Sequence, residues 1–167
     1  MRFTQAFAVL AALAVSGLAT PVKRQANTVT QVVSVSYITA PSSGISMAAE
    51  QSTSFSVANG WYGGCYPAFT PMYTYIMPTE PTTAGLNNVW GYDDYLVYLG
   101  EFLEHNSNAP SIPMSTPPPP SSMTMPTLDS SYVSQTVWLT TVMNFTGCAP
   151  DGHIVIGVSS VPITYTG

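Results

Sequence analysis

The fold signal is strongest in SYVSQTVWLTTVMNF (residues 131–145) and HIVIGVSSVPITY (residues 153–165), two stretches close to the C-terminus. Both are rich in β-branched and aromatic side chains, which favour strands. Residues 29–38, 52–57 and 72–77 have a similar composition. Glycine, proline, serine and asparagine separate these stretches, so the sequence predicts an all-β fold. Short strands at this spacing are typical of a small antiparallel β-sandwich.

Residues 92–105 fit two interpretations. Their apolar side chains recur at helical spacing, but Gly100 in the middle weakens a helix. The run YLVYL at residues 95–99 has good strand composition. We therefore expect a strand here, and a helix is the alternative.

Seven prolines lie between residues 109 and 127. Proline lacks a backbone donor and prefers extended conformations, so this segment is either an interdomain linker or a loop. The segment that follows it is too short to bury a core of its own. We therefore predict a long proline-rich surface loop or edge connection inside one domain.

The N-terminus has the pattern of a secretory signal. Arg2 precedes an apolar stretch at residues 6–15, and small residues follow up to Ala19. The apolar stretch is too short to span a bilayer. We predict a signal peptide at residues 1–19 that is cleaved after Ala19, and a secreted, extracellular protein.

A dibasic pair, Lys23 and Arg24, follows the predicted cleavage site. Fungal kexin-type proteases cut after such pairs, which predicts a propeptide at residues 20–24 and a single mature domain at residues 25–167. The alternative is that the pair occurs by chance. No later segment has membrane length, so we expect no membrane contact after signal removal.

Every lysine and arginine lies within the first 24 residues. Their removal changes the formal net charge from -5 to -8, because three positive charges are lost. Binding to nucleic acid and polybasic attraction to anionic lipid both need these side chains, so we expect neither partner. Without cations beside them, the carboxylates are not expected to have strongly lowered pKa values.

Cys65 and Cys148 are the only cysteines. An even count on an oxidising export route predicts a disulfide between them. Two cysteines alone do not make a zinc site, and no metal or cofactor is predicted. Asn144 begins an Asn-Phe-Thr sequon, so N-glycosylation at Asn144 is a hypothesis.

Several short motifs follow one another along the exported part of the chain. They are ITAP at residues 38–41 with Gly44, FSV at 55–57, Cys65-Tyr66, the stretch at 95–100, TMP at 124–126, and Cys148 with Gly152 and ITY at 163–165. Their order resembles that of a group of small secreted fungal proteins with an immunoglobulin-like sandwich. The resemblance covers most of the exported chain and implies a β-sandwich with one disulfide. It carries over no activity and no catalytic residues.

Aromatic rings are dense in the middle of the chain, where carboxylates and amides lie close by in sequence. Proteins use such groups to stack on sugar faces and to accept hydrogen bonds from sugar hydroxyls. The alternative is that alternate rings fill the core. Trp61 and Trp90 lie in glycine- and asparagine-rich stretches and are the expected exposed pair. With Tyr92, Asp93 and Asp94 they form the candidate binding residues.

Catalytic signatures are sparse. There is no Gly-x-Ser-x-Gly elbow, and only His105 and His153 offer an imidazole base. The eight carboxylates could include a glycosidase pair, for which Glu101 and Glu104 are candidates by proximity.

The leading hypothesis is therefore a secreted, non-catalytic protein that works by surface contact, with cell-wall polysaccharide as its partner. The first alternative is a carbohydrate-active hydrolase that uses two of the acids. The second is a host-directed or self-assembling surface protein. The oligomeric state is left open.

Overall fold

A computed structural model of the chain describes residues 29–32, 36–59, 69–87, 91–105, 115–146 and 154–167. In this part of the chain the regular structure is all-β apart from two short 3-10 turns, Thr83–Gly85 and Ser130–Tyr132. The strands are β1 (Val29–Val32), β2 (Ser36–Ala40), β3 (Ile45–Met47), β4 (Ser52–Ser54), β5 (Ser56–Asn59), β6 (Phe69–Met77), β7 (Val97–His105), β8 (Ser122–Thr124), β9 (Thr136–Thr146) and β10 (Ile154–Tyr165). The predicted all-β class is confirmed.

The largest sheet has the strand order β1-β10-β9-β6-β7, with β3 also pairing with β10. Strands β10, β9, β6 and β7 pair antiparallel, whereas β1 and β3 run parallel to β10. The pairing of β9 with β10 extends from Thr146 opposite Ile154 to Thr136 opposite Thr164. The two stretches with the strongest strand composition therefore form the two longest strands of the described chain.

The stretch predicted as one strand at residues 52–57 is two strands. β4 pairs antiparallel with β8, and β5 pairs antiparallel with β2. Phe55 lies between them with its side chain buried, and its N–H donates to the carbonyl oxygen of Ser121 over 2.9 Å. The chain is therefore paired with β8 before Phe55 and with β2 after it.

The described part of the proline-rich segment lies beside strand β7. The N–H of Leu103 donates to the carbonyl oxygen of Pro117 over 3.0 Å, so it reaches the edge of the large sheet. Strand β8 lies within this segment and was not predicted, because three residues flanked by prolines give little strand signal.

The ambiguous segment at residues 92–105 is a strand over most of its length. β7 covers Val97–His105, and the chain before it bends without forming a helix. The strand interpretation is therefore confirmed for these residues. β7 pairs with β6 and is the edge strand of the large sheet at the end opposite β1, among the described residues.

The large sheet buries side chains on both faces. On the inner face, Met72, Leu139 and Met143 pack with Ile38 and Phe55 of the smaller strand pairs to form the main core. A second cluster forms on the outer face, where Tyr75, Met77, Tyr92, Val142 and Ile156 are buried together. The outer cluster underlies the candidate site.

Candidate functional site

A β-bulge in β7 aligns side chains on the outer face of the sheet. Tyr73 lies opposite Glu101 and Tyr75 lies opposite Tyr98. The two tyrosines are two residues apart along β6, whereas Tyr98 and Glu101 are three residues apart along β7. The register shifts between Thr74 and Tyr75, where β7 contains one extra residue. Without this shift, alternation would send Tyr98 and Glu101 to opposite faces. The bulge therefore places both beside the tyrosines of β6.

Gly100 allows the backbone to adopt the conformation of this bulge. Its φ of +137° lies in a region that side-chain-bearing residues rarely adopt. A Cβ at this position would also lie 3.3 Å from the ring of Phe102. The glycine that weakened the helical interpretation is thus the residue that the bulge requires.

Five tyrosines gather on this face, and we call Tyr73, Tyr75, Tyr92, Tyr95 and Tyr98 the tyrosine cluster. Tyr75 is at its base, 5% exposed. Its ring centroid lies 6.0 Å from that of Tyr92 in an edge-to-face arrangement. It lies 5.5 Å from Tyr95 and 5.3 Å from Tyr98. Aromatic pairs at such separations attract one another beyond their buried area.

Two rings of the cluster face solvent. Tyr95 is 44% exposed and Tyr98 is 43% exposed. Their centroids lie 6.2 Å apart with the planes inclined at 49°. Because both contact the buried ring of Tyr75, the exposed rings are held in place without a ligand. The cluster therefore presents a prearranged aromatic surface.

Hydrogen bonds close the segment that carries Tyr92. The N–H of Asn87 donates to the carbonyl oxygen of Gly91 over 2.9 Å, and the N–H of Gly91 donates to Oδ1 of Asn87 over 2.9 Å. The side-chain amide of Asn87 also donates to Oδ1 of Asp93 over 2.8 Å. The hydroxyl of Tyr92 donates to the carbonyl oxygen of Thr82 over 2.9 Å. These bonds hold the side chain of Asp93 to Asn87 and that of Tyr92 to Thr82.

Four phenols of the cluster, those of Tyr73, Tyr75, Tyr92 and Tyr98, have raised pKa values. Burial raises the pKa of Tyr75 to about 12, and burial likewise raises the pKa of Tyr92 to about 12. Burial and, to a smaller extent, the charge of Glu101 raise the pKa values of Tyr73 and Tyr98. These four phenols are therefore neutral at physiological pH, and the carboxylate that acts on Tyr73 and Tyr98 is that of Glu101.

The structure brings together only some of the predicted binding residues. Asp93 and Asp94 are exposed, and they lie between Tyr92 and Tyr95 of the cluster along the chain. Tyr92 is 4% exposed, so it supports the exposed rings from beneath. Trp61 and Trp90 lie outside the described residues, and their predicted exposure stays a prediction.

Glu101 and Glu104 do not face one another. Glu101 lies opposite Tyr73, whereas Glu104 lies opposite Thr70, and positions three apart on β6 point to opposite faces. A glycosidase needs both carboxyl groups on either side of one bond. This pair does not have that arrangement.

Asn144, the predicted glycosylation site, lies within β9 and opposite Ile156 of β10. Its side chain is half-buried, and its Oδ1 is buried without a hydrogen-bond partner. The predicted disulfide between Cys65 and Cys148 lies outside the described residues. The predicted processing residues, Ala19, Lys23 and Arg24, lie outside them as well.

Part of the tyrosine cluster can be predicted from the sequence. Tyr73 and Tyr75 alternate on a predicted strand, which places both rings on one face. The contribution of β7 was hidden, because a bulge changes the alternation and has no reliable sequence mark other than a glycine. Tyr95, Tyr98 and Glu101 were thus not recognised as neighbours.

Comparison of the chain with protein-family models, curated proteins and solved structures found no match. Among the described residues, no helix has the length and apolar character needed to cross a bilayer. Within the same part of the chain, no three His, Cys, Asp or Glu side chains are grouped to hold a metal ion.

Proposed function

We propose that this is a secreted, non-catalytic protein that binds cell-wall polysaccharide through the tyrosine cluster. The observation that carries the proposal is the pair of half-exposed rings, Tyr95 and Tyr98, supported by the buried ring of Tyr75. Tyrosine rings pack against the apolar faces of sugars, and their hydroxyls exchange hydrogen bonds with sugar hydroxyls.

The prearranged rings favour binding because little side-chain freedom remains to be lost. Tyrosine has few rotatable bonds, and here three ring contacts already restrict them. Asp93, Asp94 and Glu101 add acceptors for sugar hydroxyls at the edge of the cluster. A long polymer presents the same unit many times, so a modest affinity for each unit suffices for retention.

Binding without hydrolysis is favoured by the placement of the acids. The two candidate catalytic carboxylates lie on opposite faces of β7, so they do not flank a common substrate position.

We also infer that the fold is an immunoglobulin-like sandwich with a long proline-rich loop, as in the fungal secreted proteins that the sequence resembles. The order β10-β9-β6-β7 supports this inference, because strands G, F, C and C′ follow one another in the same way in a variable-type domain. The smaller pairs β2-β5 and β4-β8 contribute to the main core opposite the large sheet, as a second layer would.

Sedimentation with insoluble chitin, β-glucan and cellulose tests the proposed function. We expect the mature protein to sediment with at least one of them. The variant Tyr95→Ala/Tyr98→Ala should lose at least about tenfold in affinity, since stacked aromatic residues dominate such interfaces. Retention of the double variant equal to wild type would contradict the proposal, as would no sedimentation of the wild type with any polymer.

Tyr37→Ala is the matched control. Tyr37 is 52% exposed, more than either ring of the candidate site, and lies on β2. Its removal takes away a comparable aromatic surface from another sheet. Binding by Tyr37→Ala should equal that of the wild type, and an equal loss in both variants would indicate nonspecific aromatic adhesion.

A further inference from the structure

The surroundings of the tyrosine cluster are acidic and lack fixed positive charge. Asp93, Asp94 and Glu101 are all exposed; Asp93 and Asp94 directly precede Tyr95 along the chain, and Glu101 lies opposite Tyr73 in the sheet. After residue 24 the chain has no lysine or arginine. No lysine or arginine side chain beyond residue 24 therefore neutralises the negative charge of this face.

Glu101 is paired with the tyrosine cluster in the sheet, and its charge acts on the tyrosines of the cluster. It is opposite Tyr73 in the sheet, and its charge contributes to the raised pKa values of Tyr73 and Tyr98. Both the electron-rich face of a tyrosine ring and a carboxylate attract cations. The two kinds of group act together on this face.

We propose that the tyrosine cluster selects a polysaccharide whose sugars carry free ammonium groups, that is, a polymer of unacetylated amino sugars. This inference rests on the proposed function and specifies its ligand class. The sugar rings pack on Tyr95 and Tyr98, while their ammonium groups pair with Glu101 and Asp94; Oδ1 of Asp93 already accepts a hydrogen bond from Asn87. Neutral polymers gain only the ring contacts, and anionic polymers are repelled.

The amino group distinguishes this ligand from other polysaccharides that offer the same ring faces. An N-acetylated polymer of the same sugar has no positive charge, so it loses the ion pairs while retaining its hydroxyls. A basic peptide has the charge but lacks the sugar ring. The combination of exposed rings with unneutralised carboxylates favours the ligand that has both features.

The experiment compares soluble chitosan oligomers with chitin oligomers of the same length and with oligolysine, using isothermal titration of the mature protein. We expect chitosan to bind at least about tenfold more tightly than chitin, the ratio that one charge-assisted hydrogen bond gives. Its affinity should fall when salt rises from about 0.05 M to about 0.5 M, because exposed charges are screened.

Glu101→Gln and Asp94→Asn should each weaken chitosan binding several-fold and chitin binding by a smaller factor, because the amide keeps an acceptor oxygen for hydroxyls but loses the negative charge. The ratio of chitosan affinity to chitin affinity should therefore fall in both variants. Glu50→Gln is the control, because Glu50 is an exposed acid in the turn between β3 and β4 and its substitution removes the same charge. It should bind like the wild type.

The failures of the two proposals are distinguishable. Equal affinity for chitosan and chitin would overturn the charge selection and leave polysaccharide binding standing. Equal affinity for oligolysine and chitosan would overturn the selection of a sugar. No binding to any polysaccharide would overturn both proposals.

Discussion

The hydroxyl of Tyr75 lies directly against Gly91. A Cβ at residue 91 would be 2.8 Å from the Tyr75 Oη atom, closer than nonbonded carbon and oxygen atoms approach. The backbone N–H of Tyr92 also acts on this hydroxyl, where it partly opposes the rise in the pKa of Tyr75 that burial causes. The Tyr75 side chain, at the base of the tyrosine cluster, therefore packs against the backbone of the segment that carries Tyr92, and the contact is at Gly91.

Substitution of Gly91 by alanine tests this fit. Gly91→Ala should lower the free energy of unfolding by about 1 to 3 kcal/mol, because a methyl group is forced into a filled space. Chemical denaturation of the two proteins measures the change. The variant should also lose part of its polysaccharide affinity, since Tyr75 supports Tyr95 and Tyr98.

The double variant Gly91→Ala/Tyr75→Phe provides the control. Tyr75→Phe removes the oxygen that the new methyl group would contact, so the two substitutions should be less destabilising together than the sum of their separate effects. Additive effects in this double-mutant cycle would show that the contact between residues 75 and 91 is not the cause.

Two buried hydroxyls in the main core lack hydrogen-bond partners. Oγ1 of Thr74 and Oγ1 of Thr141 are both unsatisfied, and the two residues lie opposite one another on β6 and β9. An unsatisfied buried hydroxyl is destabilising. Thr74→Val and Thr141→Val should therefore each raise the free energy of unfolding by about 1 kcal/mol, which thermal and chemical denaturation will measure.

Thr140→Val is the matched control for these variants. Thr140 is equally buried, but its hydroxyl donates to the carbonyl oxygen of Trp138 over 3.4 Å. Thr140→Val should therefore lower the stability, because it removes this hydrogen bond. If Thr74→Val and Thr141→Val lower the stability by as much as Thr140→Val does, the hydroxyls of Thr74 and Thr141 have partners in solution.

Strongly alkaline solution should unfold the protein by ionising its buried phenols. The pKa values of Tyr75 and Tyr92 are raised from 10.0 to about 12 in the fold, so the unfolded chain releases these protons first. The stabilisation from the protonated phenols is complete below pH 10 and is lost as the pH rises towards 12. Denaturation curves recorded across this range should show the loss. In Tyr75→Phe the decline should be shallower, and a decline identical to that of the wild type would exclude Tyr75 as a cause.

In acid, Asp129 should be a source of pH dependence. The backbone N–H of Ser131 donates to Oδ1 of Asp129 over 2.9 Å, and this bond, with a further bond from the Ser131 side chain, holds the pKa of Asp129 below 3.8. The resulting stabilisation is present above pH 3.8 and is lost as the pH falls through the lowered pKa. The expectation from charge alone concerned strongly lowered pKa values beside cations; the N–H of Ser131 is a different source of a lowered pKa.

The variants of Asp129 separate its charge from its hydrogen bond. Asp129→Ala should have a lower melting temperature than the wild type at neutral pH, and the gap should close below pH 3.8. Asp129→Asn keeps an acceptor oxygen without a titrating group, so its stability should depend less on pH. A gap between wild type and Asp129→Ala that is constant with pH would contradict this role.

The sequence predicted the strands that are long and uniform in composition. Strands β9 and β10 follow their predicted stretches closely, because β-branched and aromatic residues continue over most of their length. Strands β4 and β5 were fused in the prediction. The break at Phe55 depends on two different partners, β8 and β2, which composition does not encode.

The positions of the side chains in the candidate site depend on the register between β6 and β7. Composition does not reveal this register, so the site was predicted only in part. Asp93 and Asp94 were selected because they are polar and adjacent to aromatic residues. The sequence predicts Glu101 as a catalytic candidate with Glu104, since both are acids at close spacing. The bulge near Gly100 instead turns Glu101 towards Tyr73 and Tyr98, a relationship set by pairing with β6.

The most direct test of the central claim is NMR mapping of ligand contact on the mature protein with chitosan and chitin oligomers. The account predicts saturable shifts in the signals of Tyr73, Tyr95 and Tyr98 and in the backbone amide of Glu101, with little change at Tyr37. Shifts centred on β2 and β5, or no shifts at oligomer concentrations that saturate binding, would contradict the assignment of the tyrosine cluster as the binding surface.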